Sequence, residues 1–193
     1  VTSPAIVNPG LGPVFNHVSC VACHPKNGKS PQPISRADLK GLLFRVSIPR
    51  ADESLGPLVI DGLGGQLQTK ATVGKTAEGQ VNISFAENNF TFADGTPYSL
   101  RKPVYTITST TATIPSNMMV SPRIAQQVIG LGLIEAITDA DILAKQDITD
   151  ADADGISGKA NYVYDSVDGK TKLGRFGWKA NQPSINQQNQ AAF

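Results

Sequence analysis

The sequence predicts a mainly α domain, interrupted by a β-rich insertion and joined by long loops. Three observations lead there. Apolar residues recur at helical spacing near both ends of the chain, behind residues suited to cap helices. Between them, Val81, Ile83 and Phe85 alternate with Asn82 and Ser84, the period of a half-buried strand. Finally, 18 Gly and 13 Pro in 193 residues require many turns.

In order along the chain, Pro9-Gly10-Leu11-Gly12-Pro13 is a turn-rich lead-in. Val14, Phe15 and Val18 then predict a short helix ending near residue 20. Ser35 followed by Asp38 reads as an N-cap with an acid at N3, opening a brief helix. Residues 42–48 read as an extended buried segment, and Gly62-Leu63-Gly64-Gly65 as a breaker. The insertion covers about 65–113, with strands from Gln80 and over 100–108. Asn88-Asn89 and Asp94-Gly95 are its expected turns. Ser121 and Pro122 predict a helix start leading into 124–129, ended by Gly130. Thr138 caps a further short helix through Leu143, with Asp139 and Asp141 in its first turn. Tyr162-Val163-Tyr164 reads as a strand, residues 166–170 as a turn, and Ser184 as the cap of a last helix.

The chemistry centres on Ser19-Cys20-Val21-Ala22-Cys23-His24, which holds both cysteines and one of the two histidines, the other being His17. Cys-x-x-Cys-His is the attachment signature of c-type haem. Two residues between the thiols match the separation of the haem vinyl groups, and the adjoining imidazole lies under the iron as proximal ligand. A dithiol redox pair would sit in a βαβ setting, and a zinc site would need further ligands from a chain with no other Cys. One covalent haem c on Cys20, Cys23 and His24 is therefore the expectation, and it makes the predicted fold a cytochrome c-like haem domain. A minimal domain of that type needs about half of this chain. A single domain over 1–193 carrying an insertion follows, rather than two domains.

The sixth iron ligand is open. Met118 and Met119 are the only methionines and lie after the loop Ile114-Pro115-Ser116-Asn117. Either could supply a thioether, the arrangement that raises a haem potential, or simply pack in the core. His17 lies too near Cys20 in sequence to fold over the far face of the same haem. A distal face open to peroxide is the third option. Arg123 and Arg175 could pair with haem propionates, or form ion pairs with Glu135 or a nearby Asp. Asn16, Gln66 and Gln68 read as hydrogen bonders that fix loops.

A second motif, Asp150-Ala151-Asp152-Ala153-Asp154-Gly155-Ile156, places acids at positions 1, 3 and 5 and Gly at 6, the opening of an EF-hand-type calcium loop. The loop runs over 150–161. Its expected ligands are Asp150, Asp152, Asp154, the carbonyl of Ile156 and, in place of the usual Glu, Asn161. The flanks lack paired amphipathic helices, so a structural ion is expected rather than a sensor; a solvated acidic turn is the alternative.

Composition bounds the rest. With 17 basic and 16 acidic residues spread along the chain, there is no electrostatic footprint for nucleic acid. No apolar run approaches the ~18 residues of a membrane span. The start Val1-Thr2-Ser3-Pro4 reads as a mature chain after signal removal. Haem c is attached outside the bacterial cytoplasm, so a periplasmic or otherwise exported protein is expected.

Several blocks together carry a resemblance. Gly10-Leu11-Gly12-Pro13-Val14-Phe15-Asn16 precedes the haem motif, and Gly65-Gln66-Leu67-Gln68, Ser121-Pro122-Arg123-Ile124-Ala125 and Gly130-Leu131-Gly132-Leu133-Ile134-Glu135-Ala136-Ile137 follow it. Asp154-Gly155-Ile156-Ser157-Gly158 and Gly174-Arg175-Phe176-Gly177-Trp178-Lys179-Ala180 complete the series. In this order they resemble the di-haem oxidoreductases, often labelled "thiol oxidoreductase", which are similar to bacterial di-haem cytochrome c peroxidases. The resemblance implies two haem domains, whereas this sequence holds one Cys-x-x-Cys-His, as in an N-terminal half or a single-haem relative. It implies a redox partner protein or a second haem domain. By analogy with the peroxidases, Trp178 could relay electrons and Glu135 could serve as a distal acid/base; a core anchor and a paired carboxylate are the structural alternatives. Two functions follow as expectations: single-electron transfer through one covalent haem, or the haem domain of a peroxidase-like di-haem oxidoreductase. Both cysteines are committed to the cofactor, which leaves no free thiol for thiol chemistry.

Overall fold

The structure, a computed structural model, describes residues 12–32, 39, 41–52 and 56–192. The helix expected at Ser35–Asp38 and the first part of the lead-in turn, Pro9–Leu11, lie outside the described residues. The chain forms two compact units, Val1–Gln127 and Val128–Phe193.

In the first unit, β1 (Val14–Phe15) pairs antiparallel with β3 (Lys70–Ala71), and β2 (Leu42–Ser47) pairs antiparallel with β6 (Met119–Ile124). The ribbon of β4 (Gly79–Thr91) and β5 (Pro97–Ser109) completes it, and α1 (Cys20–Cys23) is a single helical turn. Alternation explains β2. Leu42, Phe44 and Val46 are buried while Leu43, Arg45 and Ser47 are half-buried, so one face of the strand makes the core. That core also takes Ile60, Leu63, Leu67, Val81 and Ile83, with Met118, Tyr105 and Ile124 packed against it. Phe44 meets Tyr105 edge-on at 5.2 Å between ring centroids.

The ribbon changes character along its length. Near its base, Val81, Ile83, Tyr105 and Ile107 share the face turned to the core. Towards its tip the apolar residues move to the opposite face, where Phe90, Leu100 and Val104 are exposed and Tyr98 stacks between Phe90 and Phe92. The chain reverses at Asp94-Gly95, where the Asp94 carboxylate accepts the Thr96 N–H at 2.9 Å. That bond holds the Asp94 carboxyl below its ordinary range.

The second unit contains α2 (Leu131–Ala136), α3 (Asp139–Leu143), the hairpin of β7 (Tyr162–Asp165) with β8 (Lys170–Leu173), and α4 (Ile185–Gln190). Thr138 and Ser184 cap α3 and α4 through the N–H groups of Asp141 and Gln187, as their sequence positions predict. Arg175 binds the carbonyls of Ile134 and Ile137 at the end of α2, and pairs with Asp139 at the start of α3. Glu135 accepts the N–H of Ile185 at 2.9 Å. Leu173 and Phe176 are buried here, as is Asp165, whose carboxylate is held down by Lys172 at 2.7 Å and by the Val167 and Asp168 N–H groups.

The expected mainly α, cytochrome c-like fold is overturned. Of the described residues 35% are extended and 14% helical, in four short helices. Strands also lie well outside 65–113, so the β structure is not confined to an insertion. The corrections have physical causes. Val14–Phe15 is drawn into pairing with Lys70–Ala71, which outweighs a weak helical period. Ser121 and Pro122 belong to β6 and not to a helix start; Pro122 lies opposite Phe44 on a strand whose outer edge is unpaired among the described residues, where a missing N–H costs no ladder bond. Asn88-Asn89 continues β4 opposite Leu100 and Ser99 instead of turning.

Candidate haem-attachment site

The turn of α1 sets Cys20 and Cys23 three residues apart, on one face of the helix. The His24 N–H closes that turn on the Cys20 carbonyl at 2.8 Å. Directly afterwards the chain folds back through Lys26 and Asn27, both left-handed with φ of 55° and 57°. Cys20 is exposed and Cys23 half-buried, and both thiols are free. Burial pushes the Cys23 thiol up from its ordinary value, while the Gly41 N–H and the charge of Lys70 act the other way.

The approach to the motif is held by Asn16. Its amide donates to the Leu67 carbonyl at 3.1 Å and to Gln68 Oε1 at 2.8 Å, and its oxygen accepts from the N–H and hydroxyl of Thr69. His17 lies over Lys70, with the ammonium 3.3 Å from Nδ1. Asn16 and Gln68 thus fix loops, as their sequence positions suggest. Gln68 also donates its own N–H to Glu78 at 2.7 Å; burial pushes the Glu78 carboxyl up.

Beyond the motif, the end of the β2–β6 ladder holds the histidine. Ala125 N–H reaches the Gly41 carbonyl at 2.6 Å, and the buried Ser30 donates its N–H to the Ala125 carbonyl at 3.0 Å. Gly41 has φ 73°, and a Cβ there would collide with the Ser30 side chain and the Cys23 carbonyl, so only glycine fits. One residue past Ala125, the Gln126 carbonyl lies 2.5 Å from His24 Nδ1. A carbonyl only accepts, so Nδ1 is the donor in this contact and Nε2 is the nitrogen left facing away from it. That is the orientation of an imidazole prepared to ligate a metal, its far nitrogen fixed by a backbone oxygen.

The residues therefore fit a covalently attached haem: two thiols on one helical face, one of them exposed, and an imidazole anchored through Nδ1 with Nε2 turned outward. Sequence reasoning missed Gln126 and Gly41. A contact made by a backbone carbonyl leaves no side-chain signature, and Gly41 showed nothing beyond being a glycine.

The two methionines lie just before and at the start of β6. Met118 packs against the core, and Met119 is exposed at the far end of β6, opposite Ser47. Five residues of strand, roughly 17 Å, separate Met119 from Ile124. Arg123 lies nearer, opposite Leu43, half-buried, with Nε donating to Ser121 Oγ at 3.4 Å. Burial, and then the neighbouring charge of Arg45, push its guanidinium down from its ordinary value. Trp178 is half-exposed in the second unit, where Arg175 and Glu135 tie helix ends as described above.

In the acidic loop the structure gathers Asp147, Asp150 and Asp152, with one carboxylate oxygen of each within 4.8 Å of the others. Asp154 is turned into its own loop, accepting the Ile156 N–H at 2.8 Å. The Asn161 amide donates to the carbonyls of Lys179 and Ala180 at 3.0 and 3.1 Å. The added acid, Asp147, stands three residues before the motif and was legible as one more carboxylate in the same run. Among the described residues no helix is long and apolar enough to cross a membrane.

No curated protein and no solved structure gives a match to the chain. A family profile does: that of the family described as "Di-haem oxidoreductase, putative peroxidase" matches residues 2–193. The match runs over nearly the whole length, so this chain belongs to the di-haem oxidoreductase family.

Proposed function

We propose that this chain carries one covalent haem c on Cys20, Cys23 and His24, and acts as a one-electron redox centre of a di-haem oxidoreductase. The observation that carries the reading is the His24 ring, held through Nδ1 by the Gln126 carbonyl with Nε2 left to ligate. When bound, the haem supplies an iron couple that takes up and gives back single electrons. The chain does the rest. Cys20 and Cys23 would hold the haem through thioether links to its two vinyl groups, and the His24 imidazole would face its iron. The Gln126 carbonyl orients the imidazole and raises its basicity towards iron. The electron's other station is a partner redox protein or a second haem domain, and covalent attachment implies export to the periplasm or beyond. A calcium ion on Asp147, Asp150 and Asp152 belongs to the same reading as a structural support.

A second reading, peroxide reduction at this haem, is favoured by where the methionines lie. An electron carrier of the His/Met type needs Met118 or Met119 over the iron, whereas Met118 packs against the core and Met119 pairs with Ser47 at the opposite end of the ladder from Gly41 and Ala125. Absorption spectra of the haem-loaded protein test both readings. A low-spin spectrum with the sulfur-to-iron charge-transfer band, indifferent to peroxide, establishes the carrier with a methionine ligand. A high-spin spectrum that changes on adding peroxide establishes the peroxidase form. A protein without haem bands refutes the proposal.

A further inference from the structure

The β2–β6 ladder that holds the haem motif carries two arginines on one face. Arg45 lies opposite Ser121 and Leu43 opposite Arg123, so the two guanidinium-bearing residues are diagonal neighbours. Such positions stand about 7–8 Å apart at Cα, within reach of long side chains. Both are half-buried, and neither has a carboxylate partner among the described residues. The Arg45 charge is close enough to disfavour the charged form of Arg123. Two like charges at partial burial repel each other. An arrangement of this kind is relieved by an anion.

Arg45 is also built in. The next segment crosses β2 through the Arg45–Gln66 bridge and the Val46 N–H to Gly65 carbonyl bond at 3.2 Å. A Cβ on Gly65 would stand 3.3 Å from a terminal nitrogen of Arg45, so the bare backbone of Gly65 makes a bed for the guanidinium. Arg123 lies in the second pair from the end of the ladder that meets the motif, and Arg45 two pairs further in. Ala125, two residues beyond Arg123, bonds Gly41, and Gln126 holds the His24 ring.

We propose that Arg45 and Arg123 form a carboxylate clamp on the strand pair that leads to His24, and that its occupant is a propionate of the attached haem. The proposal rests on the haem reading above and extends it to Arg45, which no motif in the sequence marked. Two planar guanidiniums on one strand-pair face suit a carboxylate through paired N–H donors. A free oxyanion offers the same chemistry, so the test separates the two sources.

The haem-loaded protein is compared with its R45Q, R123Q and R45K variants. Haem content, the resonance Raman bending modes of the propionates and the midpoint potential are measured, each with and without inorganic phosphate. The clamp predicts full haem content throughout and propionate modes that shift in R45Q and in R123Q. It predicts a lower potential in both, because a positive charge beside the haem favours the reduced form, and an intermediate shift in R45K. Phosphate should change neither modes nor potential. Propionate modes unchanged in R45Q at full haem content would overturn the clamp while leaving haem attachment intact. Phosphate binding that depends on Arg45, with unshifted propionate modes, would reassign the pair to a free anion and overturn it as well. A wild-type chain without haem would overturn the haem reading and the clamp together.

Discussion

Replacing Asn16 by Ala probes how the haem motif is held in place. Asn16 makes four hydrogen bonds, to the Leu67 carbonyl, Gln68 Oε1, and the N–H and hydroxyl of Thr69. A net bond contributes about 0.5–1.5 kcal/mol, and an abandoned backbone group costs more when water cannot reach it. Two of the partners, the Leu67 carbonyl and the Thr69 N–H, are backbone groups of a segment that joins the buried Leu67 to β3. The Gln68 and Thr69 side chains can turn to water instead. A loss of about 2 kcal/mol follows, a shift in urea midpoint of roughly 1 M at a slope of about 2 kcal/mol per molar. Urea unfolding followed by far-UV circular dichroism measures it. Asn16→Asp keeps the Thr69 contacts but loses both donors and sets a carboxylate against Gln68 Oε1, so it should be no better than Ala at neutral pH. A midpoint within 0.25 M of wild type for Asn16→Ala, equivalent to about 0.5 kcal/mol, is the scale of a bystander surface change and would refute the reasoning.

Other consequences are as direct. Phe44→Ala, at a side chain only 1% exposed and packed on Tyr105, should cost about 3–5 kcal/mol by unfolding; a loss under 1 kcal/mol would place the core elsewhere. The Lys172 partner lowers the Asp165 carboxyl below its ordinary range, so this stabilisation is full above about pH 4 and is lost as pH falls through the lowered value. Amide protection factors over 162–173 should therefore drop in acid in the wild type. They should be lower at pH 7 and flatter with pH in Asp165→Asn, and an identical acid profile in both would contradict the assignment. Thr138→Ala removes the cap of α3 and should cost about 1 kcal/mol, read as faster hydrogen exchange at Asp141 and its neighbours, whereas unchanged exchange would show the cap to be idle.

The legible parts of the sequence were those where local chemistry decides. Thr138 and Ser184 cap helices because a hydroxyl oxygen reaches an N–H within the same turn, a contact that needs no tertiary partner. The Asp94-Gly95 turn and the extended segment over 42–48 were readable for the same reason. What failed depended on distant pairing. The segment at Val14–Phe15 finds its partner at Lys70–Ala71, and Ser121-Pro122 carries a helix-start signature that pairing with β2 overrides. These errors accumulated into the wrong fold class. At the site, Cys20, Cys23 and His24 stood out by spacing alone. Gln126 and Arg45 did not, because one acts through its backbone oxygen and the other becomes notable only when register sets it diagonal to Arg123.

The central claim is covalent haem on this chain, and the most direct test is whether haem survives denaturation with it. The chain, exported with its haem-attachment machinery, is unfolded in acid and separated by reverse-phase chromatography while haem absorbance and intact mass are followed. The account predicts haem absorbance and the mass of one haem on the wild-type polypeptide, and neither on Cys20→Ser/Cys23→Ser. Haem that separates from the wild-type chain, or a chain that carries none, would contradict it.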